Sequence, residues 1–255
     1  MKTLKLFITS IFIIICHIVN ASSLLVSSDI GFNANDSTSF LQQAFNSNVD
    51  TLIIDNVGQP WKTAPLYINQ SDLTIIIEPN VEIVALDNVY DLYDSVFRIW
   101  DVQNITIIGY QATIRMNKQE YIIANDSEYR HGFNIGSATN IRIEGLTIKD
   151  TGGDGVLLSK SFYANSPKNY CENVTIKNCS MDNNYRQGIS VGSAKNCTIE
   201  NCILSNTKGT LPEAGIDIEP DNPQERIENL QIKNCTFLNN NGNGIQLTTF
   251  YLNDI

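Results

Sequence analysis

Charge is scarce in this chain. Only 17% of its 255 residues are Asp, Glu, Lys or Arg, and bases are the rarer kind, 17 against 27 acids. A net charge of −10 excludes a general nucleic-acid binder, which needs a basic footprint. Histidine is nearly missing, with His17 and His131 alone, and no two of the 6 cysteines stand in the Cys-x2-Cys spacing of a zinc site. Beyond residue 21 no run of eighteen apolar residues occurs, so nothing there reads as a membrane span. Proline and glycine are ordinary, while 42% hydrophobic residues exclude a disordered chain. Asparagine (31) and isoleucine (35) are abundant instead. That pairing suits many strands broken by tight turns, not a helical bundle. The length fits one sizeable core.

Met1 to Ala21 carries Lys2 and Lys5, then an apolar run from Leu6 to Val19, and offers small residues at the −3 and −1 positions of a cleavage site. Residues 1–21 are therefore expected to be a secretory signal peptide, with an uncleaved anchor as the alternative, and the protein is expected to be secreted, extracellular or periplasmic. Cleavage would remove two of the 17 bases and none of the 27 acids, leaving −12, a single histidine and five cysteines.

Four segments align without a gap, beginning at Asn140, Asn173, Asn196 and Asn229. Fifteen residues after the leading Asn, a glycine opens an alternating apolar run at Gly155, Gly188 and Gly244; Gly215 arrives four residues later, and an earlier copy begins at Gly132. Spacings between these glycines are 23, 33, 27 and 29 residues. A unit of three short strands cannot bury its own apolar face, so units must stack, and three strands per turn stacked about 4.8 Å apart make a parallel β-helix. The fold class is all-β: a single-stranded parallel β-helix with three strands per rung. A short amphipathic helix over Phe40–Phe45, capped by Asn35-Asp36-Ser37, would cover its N-terminal end. Residues 22–70 are expected to form this cap and the first strands (Thr51–Ile54 among them). Residues 71–255 form the β-helix, with strands at Leu73–Ile77 and Val81–Val84, and its C-terminal edge, lacking an evident cap, is open to a further chain or partner.

The alignment assigns faces. Ile141, Val174, Cys197 and Leu230 form one inward column; Leu146, Cys179, Cys202 and Cys235 a second; Ile148, Met181, Leu204 and Phe237 a third. The cysteine column reads as a stack of buried thiols, since in-register neighbours rarely meet disulfide geometry. Cys171 lies in an insertion and is expected to be free. Asn183, Asn206 and Asn239, and Asn178, Asn201 and Asn234, read as asparagine ladders. Glu144, Lys177, Glu200 and Lys233 alternate in sign from rung to rung and read as cross-strand ion pairs.

Columns beside the repeating glycine are different. Two residues before it stand Arg130, Gly153, Arg186, Glu213 and Gly242; one before it, His131, Asp154, Gln187, Ala214 and Asn243. Outward positions after it include Asn134, Ser190 and Asp217, then Gly136, Ser159, Gly192 and Glu219. Stacking gathers a histidine, two arginines and several carboxylates above a shallow polar groove. Asp217 and Glu219, two apart on one strand, are expected about 7 Å apart. Asp154 would lie about 10 Å away with Arg186 or Gln187 between. Crowded carboxylates hold protons and suit a general acid; one beside arginine suits a base or nucleophile. The bland readings are a turn for Gly152-Gly153-Asp154-Gly155, a solvated face or calcium ligands for Asp217 and Glu219, and a turn cap for Asp221 and Glu225.

At Arg130-His131-Gly132, Gly152-Gly153-Asp154-Gly155, Arg186-Gln187-Gly188 and Pro212–Pro220, the chain resembles the "right-handed β-helix region" proteins of the pectin-lyase-like superfamily, over roughly residues 30–255. The resemblance implies right-handed coiling and activity on polysaccharides. The Asn-Thr-Asp, Asp-Asp and Gly-His-Gly set of polygalacturonases is missing, as is the Asp-Pro-His of alginate epimerases. Three functions follow as expectations. The first is a secreted glycoside hydrolase with Asp217 and Glu219 as acid/base pair and Asp154 as third carboxylate; Arg130, His131, Arg186, Gln187, Glu213 and Ser190 would hold polysaccharide or oligosaccharide, and no cofactor or metal is needed. The second is a uronic-acid lyase or C5-epimerase using Arg186, Lys160 or His131, with calcium as its cation. The third is a non-catalytic carbohydrate-binding module. None calls for nucleic acid or, once the signal is cleaved, a membrane.

Overall fold

The computed structural model describes residues 23–123 and 128–249. The signal peptide expected at residues 1–21 lies outside them. Among the described residues no helix is long and apolar enough to cross a membrane.

The chain winds as a right-handed parallel β-helix. Its three parallel sheets hold eight, seven and seven strands. In the first, strands follow chain order from Leu24–Val26 to Ile227–Lys233; the third runs from Leu66–Tyr67 to Ile245–Leu247. Two of the three inward columns read from the sequence are register columns, while the cysteine column falls one residue before its strands: Ile141 pairs with Val174, Val174 with Cys197 and Cys197 with Leu230. Ile148, Met181, Leu204 and Phe237 pair likewise. These side chains fill one continuous apolar core. Strands Thr51–Ile54 and Leu73–Ile77 fall as expected, while the third begins one residue later, at Glu82–Ala85.

An eight-residue helix, Thr38–Phe45, takes the place of strands in the first rung. It buries Leu41, Ala44 and Phe45 over the core, with the Phe45 ring set edge-on 6.0 Å from Phe97. Its cap differs in detail from expectation: Ser37 makes no side-chain cap bond, and Asp36 Oδ1 accepts from the Thr38 N–H instead. At the other end, Ile227–Lys233, Thr236–Leu238 and Ile245–Leu247 are the edge strands of their sheets. Leu230, Ile232 and Phe237 there are only partly buried. One rung also carries a helix that the repeat does not announce, Lys118–Ile123.

The turns explain the asparagine. Asn104, Asn140, Asn173, Asn196 and Asn229 all sit at φ between 52° and 58°, the left-handed region that Asn tolerates best after Gly. Each of these amides donates to the residue one rung before it, from Asn229 to Asn196 (3.0 Å) through to Asn104 and Asp72. The two ladders expected from sequence are less regular. Asn201 does donate to Asn178, but Asn183 donates to Asp150 and Asn206 to Asp182. Glu144 and Lys177 stand in register, yet Glu144 is bound by Tyr110 and Arg142, so the expected ion pair does not form. All five described cysteines are free. Cys171 is not in a surface insertion; it opens strand Cys171–Lys177, is fully buried, and its thiol donates to the Ile135 and Ser159 carbonyls.

Asn196→Ala removes two ladder bonds and places an ordinary Cβ in the left-handed region, which should cost about 2 kcal/mol in urea unfolding. Asn196→Gly should recover part of that loss. Equal stability of the Ala variant and the parent would show that the ladder is ornamental.

Candidate functional site

The outward face of the third sheet carries the site. Asn134, Leu157, Ser190 and Asp217 pair in one register column through strands His131–Gly136, Val156–Ser159, Gln187–Val191 and Ala214–Ile218. Alternation on each strand sends the intervening Ile or Val inward and leaves these side chains facing out. Above them opens a cleft of about 720 Å³ lined by His131, Asp154, Ser190, Arg186 and Glu219, among others. Its floor is made of small residues. At Gly192 an added Cβ would meet only ordinary contacts, so packing does not demand glycine there, and its missing side chain leaves the floor open.

Arg186 organises the charges. Its Nη2 donates to Glu219 Oε2 at 2.7 Å, its Nη1 to Gln187 Oε1 at 3.0 Å, and its Nε lies 3.3 Å from Glu128 Oε1. Burial works against the guanidinium charge, but Asp154, Glu219 and Glu128 outweigh it and hold the proton firmly. Gln187 in turn donates to Asp217 Oδ2 at 2.9 Å.

Asp217 ends its column on strand Ala214–Ile218, and Glu219 follows two residues on, close enough for its charge to act on Asp217. Burial first, then Glu219, push the Asp217 carboxyl up to about 7. Asp217 is closed to solvent, while Glu219 reaches the cleft.

Asp154 is fully buried, and neither of its side-chain oxygens has a hydrogen-bond partner. Burial raises it to about 8; Arg186 opposes the shift, and Asp217, Glu219 and Glu128 add to it. The plain turn reading, in which its carboxylate binds local backbone, therefore fails. Its backbone N–H instead donates to His131 Nδ1 at 3.0 Å, which places the imidazole proton on Nε2. Burial, helped by Arg186, drops His131 to about 3. The 3.4 Å approach of Nδ1 to Asp154 Oδ2 thus joins two uncharged groups.

Two of the expected substrate-binding residues lie elsewhere. Arg130 is buried, with Nε donating to the Tyr90 carbonyl at 2.9 Å and its guanidinium 4.9 Å from the Tyr121 ring centroid; it does not line the cleft. Glu213 adopts φ 55° and turns back to accept from the Gly209 N–H (2.6 Å) and Asn241 Nδ2, fastening its own loop. Gln187 lies beneath the cleft and positions Arg186 and Asp217. Asp221 and Glu225 do form a turn cap, through Asp221 N–H to Glu225 Oε2 at 2.6 Å, but both also line the cleft, and Glu225 Oε1 lies 3.4 Å from Lys160 Nζ.

Sequence reasoning missed the walls. Tyr93 and Tyr129 stand 4.8 Å apart on one side, and Trp100 and Phe162 5.6 Å apart on the other. Tyr93 and Phe162 are 62% and 66% exposed, so apolar ring surface stands open at the cleft. Among the described residues no group of three or more His, Cys, Asp or Glu is arranged to hold a metal ion.

A right-handed parallel β-helix with a polar cleft on one sheet is the architecture of the pectin-lyase-like superfamily. The family model "right handed beta helix region" matches residues 97–253, and the chain belongs to that family. It is 27% identical over 203 residues to the uncharacterized protein YclG of Bacillus subtilis (strain 168), covering 75% of this chain and 34% of that one. Among solved structures it is similar to an iota-carrageenase complexed to iota-carrageenan fragments, with TM-score 0.66 and 21% identity over 85% of this chain and 50% of that one. It is also similar to the Family 28 exopolygalacturonase of Yersinia enterocolitica, with TM-score 0.64 and 12% identity over 89% of this chain and 55% of that one. The chain thus spans about a third of the curated relative and half of these two structures. At such identities the likeness establishes fold.

A carboxyl whose folded-state value is raised, like Asp154, contributes stability that is complete below its unfolded value near 4 and is lost as pH rises through about 8. Asp154→Asn should remove that loss. Its melting temperature relative to the parent should therefore be higher at pH 8 than at pH 5; an identical difference at both would mean that Asp154 is ionised throughout.

Proposed function

We propose that the chain is a secreted glycoside hydrolase that takes a polysaccharide into the cleft of its third sheet. The observation that carries this reading is a pair of neighbouring carboxyls, Glu219 on the lining and Asp217 buried behind it with its proton held to about 7, in a cleft walled by exposed aromatics. Aromatic faces pack on the apolar faces of sugar rings, and a protonated carboxyl beside them supplies the acid that glycosidic cleavage needs. Glu219 is the carboxyl that substrate meets. Asp217, closed off beneath it, holds the proton that moves by way of Glu219 to the leaving oxygen as the glycosidic bond breaks. The pair, left with one more negative charge, faces the positive charge on the sugar; water then adds to that carbon and returns a proton to the pair. Arg186 fixes Glu219, and Asp154 across Arg186 is the third carboxyl of the set. Family membership and the polysaccharide-hydrolysing names among the similar folds support the same reading.

Elimination from a uronic acid is less well supported, because its bases are engaged. Arg186 and Lys160 are ion-paired, and the free nitrogen of His131 carries its proton and acts as a donor. The exposed aromatics also favour binding without turnover as a second reading.

Incubation with a glycan panel, followed by mass analysis, separates these readings: hydrolysis adds one water per cut, elimination adds none. Asp217→Asn and Glu219→Gln should each lower turnover by about 10²- to 10⁴-fold with an unchanged circular dichroism spectrum. The parent's rate should fall as pH rises through about 7, where the Asp217 proton is lost. Full activity in Asp217→Asn would sink the assignment.

A further inference from the structure

Resting on the polysaccharide reading above, we infer that the cleft is built for a glycan free of carboxylate and sulfate, and that Asp221 and Glu225 are the residues that turn acidic sugars away.

The cleft is lined by five acids, Glu128, Asp154, Glu219, Asp221 and Glu225, against two bases, Lys160 and Arg186. Neither base is available to a ligand anion. Lys160 Nζ is 3.4 Å from Glu225 Oε1; Arg186 is shared between Glu219 at 2.7 Å and Glu128 at 3.3 Å. His131, the remaining nitrogen base, is held neutral by burial. A sugar carboxylate entering here would lose its hydration and meet more acids than bases, with both bases already engaged, and like-charge juxtaposition of this kind is a strong device for rejecting a partner.

Asp221 holds its proton above the ordinary carboxylate range, first through partial burial and then through the nearness of Glu225 and Glu219, with Arg186 and Lys160 opposing. Arg98 does not supply the missing cation. It lies outside the cleft lining, its guanidinium 4.1 Å from the Tyr67 ring centroid and 4.6 Å from that of Trp100.

Hydroxyl-rich, uncharged sugar suits what remains. Ser190 and Asn134 at the cleft lining carry uncharged polar groups of the kind that pair with hydroxyls. Tyr93, Tyr129, Trp100 and Phe162 offer ring faces to uncharged C–H surface. Glu225 is a selectivity residue by virtue of Lys160: it cancels the one cleft cation that no catalytic carboxyl uses. Glu225→Gln keeps an oxygen to accept the Asp221 N–H while releasing Lys160 to face the ligand.

The test uses the full chain carrying Asp217→Asn, which binds without turnover, and calorimetric titration with matched oligosaccharides. Galactan, mannan and glucan oligomers are each compared with the same oligomer oxidised at C6 to the uronic acid. The neutral member of at least one pair should bind at least about ten-fold tighter than its oxidised form. Adding Glu225→Gln or Asp221→Asn should tighten the oxidised form by about ten-fold while moving the neutral one less than about two-fold. Tighter binding of the oxidised form in the parent background overturns the inference and leaves the polysaccharide reading standing. Neutral preference unaltered by both substitutions overturns the role of Asp221 and Glu225. Binding of no oligomer in either form overturns both readings together.

Discussion

In-register stacking is the constraint on which everything else depends. Each rung places its residues directly over their equivalents in the rung before, so every turn must repeat the same backbone at the same place. The asparagines show how this is met. A run of them holds φ near +55°, and their amides bond rung to rung, satisfying polar groups that a turn would otherwise leave to water. The same one-to-one register that repeats the turns also repeats the core, so that Ile148, Met181 and Leu204 stack as a single apolar column. A residue changed on one rung is felt by its neighbours above and below.

That constraint also makes a site. A column that faces outward on a stacked sheet brings residues from distant parts of the sequence within about 4.8 Å of one another per rung. Glu128, Arg186 and Glu219 span more than ninety positions of the chain, yet Arg186 holds both acids. Arg186 and Glu219 flank the strands Gln187–Val191 and Ala214–Ile218, and Glu128 comes from the loop before His131–Gly136. The stacked strands hold these flanking residues close together before any ligand arrives, which is what an electrostatic site requires.

The fold was legible because a gap-free repeat converts alignment into geometry: the columns of Ile141 and of Ile148 written from sequence are register columns in space. Asp217, Glu219, Asp154, Arg186 and His131 were legible for the same reason, as outward or glycine-flanking positions of that repeat. What escaped lies where the repeat gives no register. Tyr93 and Phe162 stand in inserted loops, so no column announces them. Arg130 precedes the strand proper, and its long side chain turns to Tyr90 and Tyr121 rather than following the outward column. Glu213 sits in the irregular turn before Gly215, where a left-handed backbone redirects its carboxyl onto the loop. The partners of Asp217 and Glu219 are a matter of rotamers, Gln187 for one and Arg186 for the other, and alternation along a strand does not specify them.

Burial and charge divide the work among the three carboxyls. Asp154 and Asp217 are closed to water and hold protons well above the ordinary range; Glu219 is the one that meets both solvent and arginine. Had Arg186 been a lysine, one point charge would have had to serve acids on several sides, whereas the planar guanidinium reaches Glu219, Gln187 and Glu128 from separate nitrogens at once. The arrangement keeps two carboxyls of raised proton affinity, Asp154 and Asp217, buried behind one charged contact between Glu219 and Arg186. The charge that meets a ligand is therefore set by Arg186, whose partners are fixed before the cleft is filled.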